Sequence, residues 1–276
     1  LVGPAIAGAL LASFGTAVCF ALNAISFLPV IAGLFLMRVP PRPAPIGGRS
    51  LAQLREGLSY VRRTPAVALT IVLAGFVATF GMNFAVWIPL LAKGSFHVGA
   101  GGFGALLSAL GLGSVAGALS LAFFSRGARP RFMLAMGATL GAGEIVLAVI
   151  ASAGASAILA MVLLPVLGYA MTSTMALANT TVQTATPHEL RGRVLSVYLT
   201  VFAGSAPFGA LIAGAAANAF GTPASLALCG TITVVAAGFV ALLWQAVPAG
   251  VTRLIPMPLS LLRGRTSLCE TSSRED

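Results

Sequence analysis

Ile212-Ala213-Gly214-Ala215, followed by Phe220-Gly221-Thr222, repeats in order and spacing an earlier run, Ile6-Ala7-Gly8-Ala9 and Phe14-Gly15-Thr16. The copies lie 206 residues apart, and each sets a helix of small residues, a tight Phe-Gly-Thr turn and a second apolar helix running back. One helical hairpin is therefore used twice, in parallel. The later copy starts its first helix near Val194. The same offset places the start of the earlier helix about a dozen residues before Leu1, so the chain is expected to begin inside a helix and to be truncated.

Working outward from the hairpins, the chain reads as a membrane protein. Charged residues are 8% of 276 and hydrophobic residues 58%, with a mean hydropathy of +1.00. Soluble domains carry about a quarter charged residues. The apolar residues come in runs long enough to cross roughly 30 Å of hydrocarbon. Eight spans are expected, near residues 1–14, 16–37, 66–91, 102–124, 132–153, 156–184, 194–220 and 223–247. Cys19 and Cys229 fall inside such runs and Cys269 in the tail, which is neither a disulfide framework nor a metal-ligand spacing.

A net charge of +10 could signal nucleic acid in a soluble chain, but the placement of the basic residues favours a membrane, and no nucleic-acid partner is expected. With eight spans, one side receives Arg38, Arg42, Arg49, Arg55, Arg62 and Arg63, then Arg126, Arg129 and Arg131, then Arg191 and Arg193, then Arg253, Arg263, Arg265 and Arg274. The other side receives Lys93 alone. By the positive-inside rule the arginine side, including the tail, is cytoplasmic.

The first basic loop is the domain linker. It runs through Arg38-Val39-Pro40-Pro41-Arg42-Pro43-Ala44-Pro45 and Gly47-Gly48. Ser50 and Gln53 then form a capping box, and Leu51, Leu54, Leu58 and Val61 share one face of a short helix. That helix is expected at the membrane surface, leucines in the interface and Arg55, Arg62 and Arg63 near anionic headgroups, before Pro65 opens the next span.

With this repeat, span count and linker, the chain resembles the major facilitator superfamily, whose fold is two six-helix halves joined by a long basic cytoplasmic loop. Gly3-Pro4-Ala5-Ile6-Ala7-Gly8 is similar to the Gly-Pro-rich motif in the fifth helix of exporters of this superfamily. Pro187-His188-Glu189-Leu190-Arg191-Gly192-Arg193-Val194 is similar to the loop before the eleventh helix in the branch with enterobactin exporters and macrolide efflux proteins. Phe124-Ser125-Arg126-Gly127-Ala128-Arg129-Pro130-Arg131 resembles the family's Asp-Arg-Gly-Arg loop loosely, lacking the acid. The resemblance covers the chain to about Pro248. It implies an all-α polytopic membrane fold comprising spans five to twelve of twelve, lodged in a bacterial inner membrane. Residues 1–37 would end the first half, 38–64 form the linker with its interfacial helix, 65–248 form the second half and 249–276 a cytoplasmic tail.

Three stripes of small residues read as packing seams: Ala109, Gly113 and Gly117; Pro4, Gly8 and Ala12; and Ser205, Gly209, Ala213 and Ala217, beside Pro207. The Gly3-Pro4 region is also a candidate helix bend. The span 156–184 carries Tyr169, Thr172, Ser173, Thr174, Asn179, Thr180 and Gln183, and lipid cannot satisfy such a stripe. The resemblance makes it a cavity-lining helix, as it does the span with Asn83 and Trp87 near Gly81 and Pro89. Asn83, Trp87, Tyr169, Thr172, Ser173 and Asn179 are therefore substrate-cavity candidates, with interhelical hydrogen bonding the plainer alternative. Arg191, Gly192 and Arg193 are candidates for a cytoplasmic gate, a glycine turn presenting two guanidiniums, against the alternative of simple orientation signals.

Glu144 is the one acid inside any expected span. An ionisable group at mid-membrane costs around 3 kcal/mol on insertion scales, so the side chain should turn away from lipid. It is the coupling candidate, or else an acid hydrogen-bonded to a neighbouring helix. The expected function is export of small, largely hydrophobic molecules, with antiport of protons or another gradient as the driving force. No reaction, metal or cofactor is expected: Gly-x-x-x-x-Gly-Lys-Ser/Thr is absent, and His97 and His188 both lie outside the spans. A non-transporting scaffold, a degenerate fragment and, less favoured, a membrane-embedded enzyme stay open on sequence grounds. The topology has a direct check. In a cysteine-free background, Ser95→Cys should react with an impermeant thiol reagent from outside only; labelling confined to the cytoplasmic side would reverse the assignment.

Overall fold

A computed structural model describes residues 17–18, 20–37, 50–124 and 129–246, excepting the side chains of 50–53 and 124. Nine helices are named here in chain order: α1 Leu28–Leu36, α2 Ser50–Arg63, α3 Pro65–Phe80, α4 Phe84–Gly94, α5 Ala100–Phe124, α6 Pro130–Ser152, α7 Ala157–Ala185, α8 His188–Phe220 and α9 Thr222–Gln245. The described residues contain no strand. Among the described residues, six stretches are long and apolar enough to cross a membrane: Pro65–Gly94, Ala100–Phe123, Pro130–Ser152, Ala157–Ala185, His188–Phe220 and Thr222–Gln245. They coincide with the last six expected spans. Of the first two, residues 1–14 lie outside the described residues and the second is the shorter apolar helix Phe20–Leu36. Gly3, Pro4 and Gly8, the linker 38–49, the loop 125–128 and residues 247–276 also lie outside, as do the side chains of the Ser50–Gln53 capping box.

Local chemistry sets the helix ends. Pro65, Pro130 and Pro223 each stand in a first turn, where the missing N–H costs nothing. Ser156 caps α7, its side-chain oxygen accepting from the Ile158 N–H at 3.3 Å. The Phe-Gly-Thr turn of the repeat closes as the sequence predicts: Gly221 at φ 86° ends α8 and leads into α9, a backbone conformation glycine adopts without strain. One start differs from expectation. α8 begins at His188 rather than near Val194, so Leu190-Arg191-Gly192-Arg193 is helix, not a glycine turn. Pro187, extended at the N-cap, and Glu189 in the first turn supply an earlier start signal than the apolar pattern.

The bundle is held at points where backbones touch. A Cβ on Gly113 of α5 would lie 1.8 Å from the Pro165 carbonyl oxygen of α7, and one on Gly168 of α7 would lie 2.0 Å from that of Leu110. Ser114 adds a hydroxyl that donates to the Gly168 carbonyl at 3.3 Å. Gly141 of α6 and Gly230 of α9 are reciprocal, each 2.6 Å from the other's carbonyl oxygen by the same measure. Gly209 of α8 would meet the Thr79 oxygen of α3 at 2.2 Å. Lipid tails are as apolar as leucine, so such close approach replaces the hydrophobic drive that packs soluble helices. Two of the three expected seams are therefore contacts; Pro4, Gly8 and Ala12 lie outside the described residues.

Burial is uneven among the spans. The apolar windows of α5 and α8 are 22% and 17% buried, against 50% for α6. α1 buries no residue, and Phe35 is 87% exposed. α2 turns Gly57 and Val61 inward and leaves Leu54 and Leu58 exposed, so only part of its apolar face meets protein. Gly113→Leu should lower thermal stability in detergent by more than the usual 1–3 kcal/mol of core overpacking, since backbone must move. Gly111→Ala, on the same helix with nothing within 4 Å, should leave the melting temperature unchanged or raised.

Candidate functional site

The first span, Pro65–Gly94, is not one helix. α3 stops at Phe80, α4 starts at Phe84, and Gly81, Met82 and Asn83 join them. Gly81 is pressed against Leu140 of α6, whose methyl would lie 2.9 Å from a Cβ there. Asn83, 6% exposed, folds its side-chain amide back to donate to the Thr79 carbonyl at 2.7 Å, satisfying an acceptor the interrupted helix leaves over. The same carbonyl is the one Gly209 approaches, so the break and the α3–α8 crossing share one peptide. Beyond it, Trp87 is fully buried, edge-on to Phe84, and its indole N–H donates to Ser225 Oγ at 3.1 Å. Ser225 Oγ in turn donates to the Ala213 carbonyl at 2.8 Å, tying α4, α9 and α8 together. Trp87 and Asn83 are thus built into the packing of this half.

The α7 stripe divides in two. Thr174, Thr180, Thr181 and Thr184 donate to carbonyls four residues earlier, and Gln183 Nε2 donates to Asn179 Oδ1 at 2.9 Å. These groups satisfy themselves on their own helix. Tyr169 reaches across instead: Ser120 Oγ of α5 donates to its phenol oxygen at 3.0 Å. Ser173 is fully buried beside Gly117, and its hydroxyl has no partner among the described residues. Thr172 and Asn179 are half-buried. The candidates therefore fall into two groups, Asn83 with Trp87 on α3, α4, α8 and α9, and Tyr169 with Ser173 on α5 and α7. Their hydrogen bonds do not join.

At the arginine-rich end, α2 lies against the start of α8. Arg193 donates to the Glu56 carboxylate, and Gly57 sits under the Arg193 backbone, with 2.9 Å from a would-be Cβ to the carbonyl oxygen. Tyr60 donates its hydroxyl to the Ala185 carbonyl at 2.7 Å, at the end of α7. Arg191 and Gly192 are exposed. Guanidiniums near a helix N-terminus oppose the helix dipole, and Glu56 and Glu189 offset them. Sequence reasoning missed Glu56 and Tyr60 as partners of this corner. Glu56 was visible as the one acid in a basic segment.

Glu144 is fully buried in α6, its Cβ against Gly230 of α9. It is turned from lipid, as the insertion cost requires. The hydrogen bond to a neighbouring helix is not made: neither carboxyl oxygen has a partner among the described residues. Among the described residues no group of His, Cys, Asp or Glu could hold a metal ion.

The comparisons with known proteins agree with this architecture. The transmembrane secretion effector family of the major facilitator superfamily matches residues 1–257. The multidrug efflux pump Tap of Mycolicibacterium fortuitum is 30% identical over 231 residues, which is 82% of this chain and 55% of Tap. The enterobactin exporter EntS of Escherichia coli O1:K1 / APEC is 30% identical over 197 residues, 70% of this chain and 45% of EntS. The chain spans about half the length of these curated relatives, and no solved structure matches it. An all-α bundle of membrane-length helices, not an enzyme and similar over most of its length to efflux transporters, this chain belongs to the transmembrane secretion effector family of the major facilitator superfamily.

Proposed function

We propose that the chain forms the later part of a secondary active exporter of small hydrophobic molecules, in the range of drugs, macrolides and siderophores, working by alternating access. The observation that carries this reading is the break at Gly81–Asn83 within a membrane-length span. Discontinuous helices are where transporters of this kind place substrate, because loosened backbone is tolerated only where it is buried in protein or lines a cavity. The low burial of α5 and α8 on either side supports a bundle that works against a second half. In this reading residues 1–37 end the first half, 38–64 are the linker, 65–248 the second half and 249–276 the tail. The basic loops and tail face the cytoplasm.

Tyr169, Thr172 and Asn179 face substrate, while the buried Asn83, Trp87 and Ser173 back them. Pro207 and Gly209 let α8 bend and close against α3. Glu144 is a structural acid rather than the coupling group, because its side chain is fully buried and both its oxygens are closed off from solvent. Protons remain the proposed driving ion through another residue. In energised inverted vesicles, the protein should accumulate a labelled hydrophobic drug above protein-free controls, and Glu144→Gln should keep that activity with the same pH dependence. No accumulation would leave the scaffold reading; a flattened pH profile in the variant would restore Glu144 as the coupling acid.

Arg191, Gly192 and Arg193 form the cytoplasmic gate, with Glu56 of the linker helix as its counter-charge. The pair is half-exposed, so it stabilises the closed corner by about 1 kcal/mol or less. Glu56→Ala and Arg193→Ala should each change transport by at most about fivefold. The exchange Glu56→Arg with Arg193→Glu should recover most of the loss, which initial uptake rates would show; simple orientation signals would give no recovery.

A further inference from the structure

α6 and α9 touch at Gly141 and Gly230, and toward the arginine-rich end a groove of about 1070 Å³ lies between them. It runs between the start of α6 at Pro130 and the end of α9 at Gln245. At 1.5 Å per residue, the lining stretches 130–138 and 237–245 give it a length of roughly 12 Å. The mouth carries Arg129 and Arg131, both exposed, and the indole of Trp244. The wall below is apolar, with Phe132, Ala135 and Gly238 along it, and an added Cβ on Gly238 would meet nothing within 4 Å. None of the described residues lining the groove is acidic.

We propose that this groove is a binding site for one anionic phospholipid, its phosphate at Arg131 and an acyl chain laid along Phe132, Ala135 and Gly238. Three features select that occupant. A guanidinium forks onto phosphate oxygens, and the first amides of α6, which have no intrahelical acceptor, lie at the same level. Trp244 sits where indoles sit in bilayers, at the boundary of headgroup and hydrocarbon. The apolar wall continues about two helical turns into the membrane, which a free phosphate would leave uncovered and which is too short to seat a partner helix. With Arg131 exposed at the mouth and no acid among the described lining residues, the mouth matches an anionic headgroup rather than a zwitterionic one.

Native mass spectrometry of the purified protein, titrated with phosphatidylglycerol against phosphatidylcholine, tests the site. Phosphatidylglycerol should be retained preferentially as one bound lipid. Arg131→Gln should weaken that retention about fivefold, the effect of one basic charge near an anionic leaflet. Gly238→Leu points a side chain into open groove, so it should fold normally and also reduce retention. Equal retention of the two lipids, or wild-type binding by both variants, overturns the proposal. So does a protein lacking residues 249–276 that retains severalfold more phosphatidylglycerol, since the tail would then be the groove's occupant.

Discussion

Where Gly113 meets the carbonyl of Pro165 there is no room for even a methyl group, and the remaining helices are arranged around contacts of this kind. In hydrocarbon, apolar side chains gain nothing by leaving lipid for protein, so cohesion has to come from dispersion between closely fitted surfaces. Glycine on one helix against carbonyl on the next is the closest fit available. α5 with α7, α6 with α9 and α3 with α8 each use it, and each crossing lies on a stripe of small residues or a glycine pair. These contacts fix the spacing of the bundle, and the spacing decides which polar groups can find partners.

The polar groups follow from that constraint. A hydroxyl four residues after a carbonyl can bond it without help from a neighbour, and most threonines of α7 do so. Such residues cost little and hold nothing across helices. Those that reach across are fewer and sit at joints: Ser120 with Tyr169, Ser114 with Gly168, and the chain from Trp87 through Ser225 to Ala213. Asn83 differs from both kinds, since it repairs the carbonyl left by a helix break. Glu144 and Ser173 are the buried groups the geometry leaves without partners among the described residues, and both lie beside glycine contacts.

The arginines divide by what lies beside them. Arg193 finds Glu56 on α2, and the contact is reinforced by Gly57 below the backbone and by Tyr60 on the end of α7. This corner therefore couples α2 to the turn between α7 and α8. Arg131 stands instead at the mouth of the groove between α6 and α9, with an indole and apolar walls. The same residue type thus has two physical roles, a donor to a protein carboxylate and, in the proposed site, a charge for a lipid headgroup.

Much of this was legible along the chain. Span positions, the second copy of the hairpin and the all-α membrane class follow from apolar run length and charge placement, because lipid imposes both over whole segments and no packing detail can override them. The seam at Gly113 and Gly209 was legible for the same reason, since only small residues permit close crossings. The start of α8 was misjudged because apolar pattern reports where a helix enters lipid, whereas Pro187 and Glu189 report where it begins. Which carbonyl each glycine faces, that Glu56 would meet Arg193, that Trp87 would bond Ser225 and that Glu144 would have no partner were decided by tertiary structure alone. Each depends on the rotation and spacing of helices far apart in sequence, and a one-dimensional pattern carries no information about either.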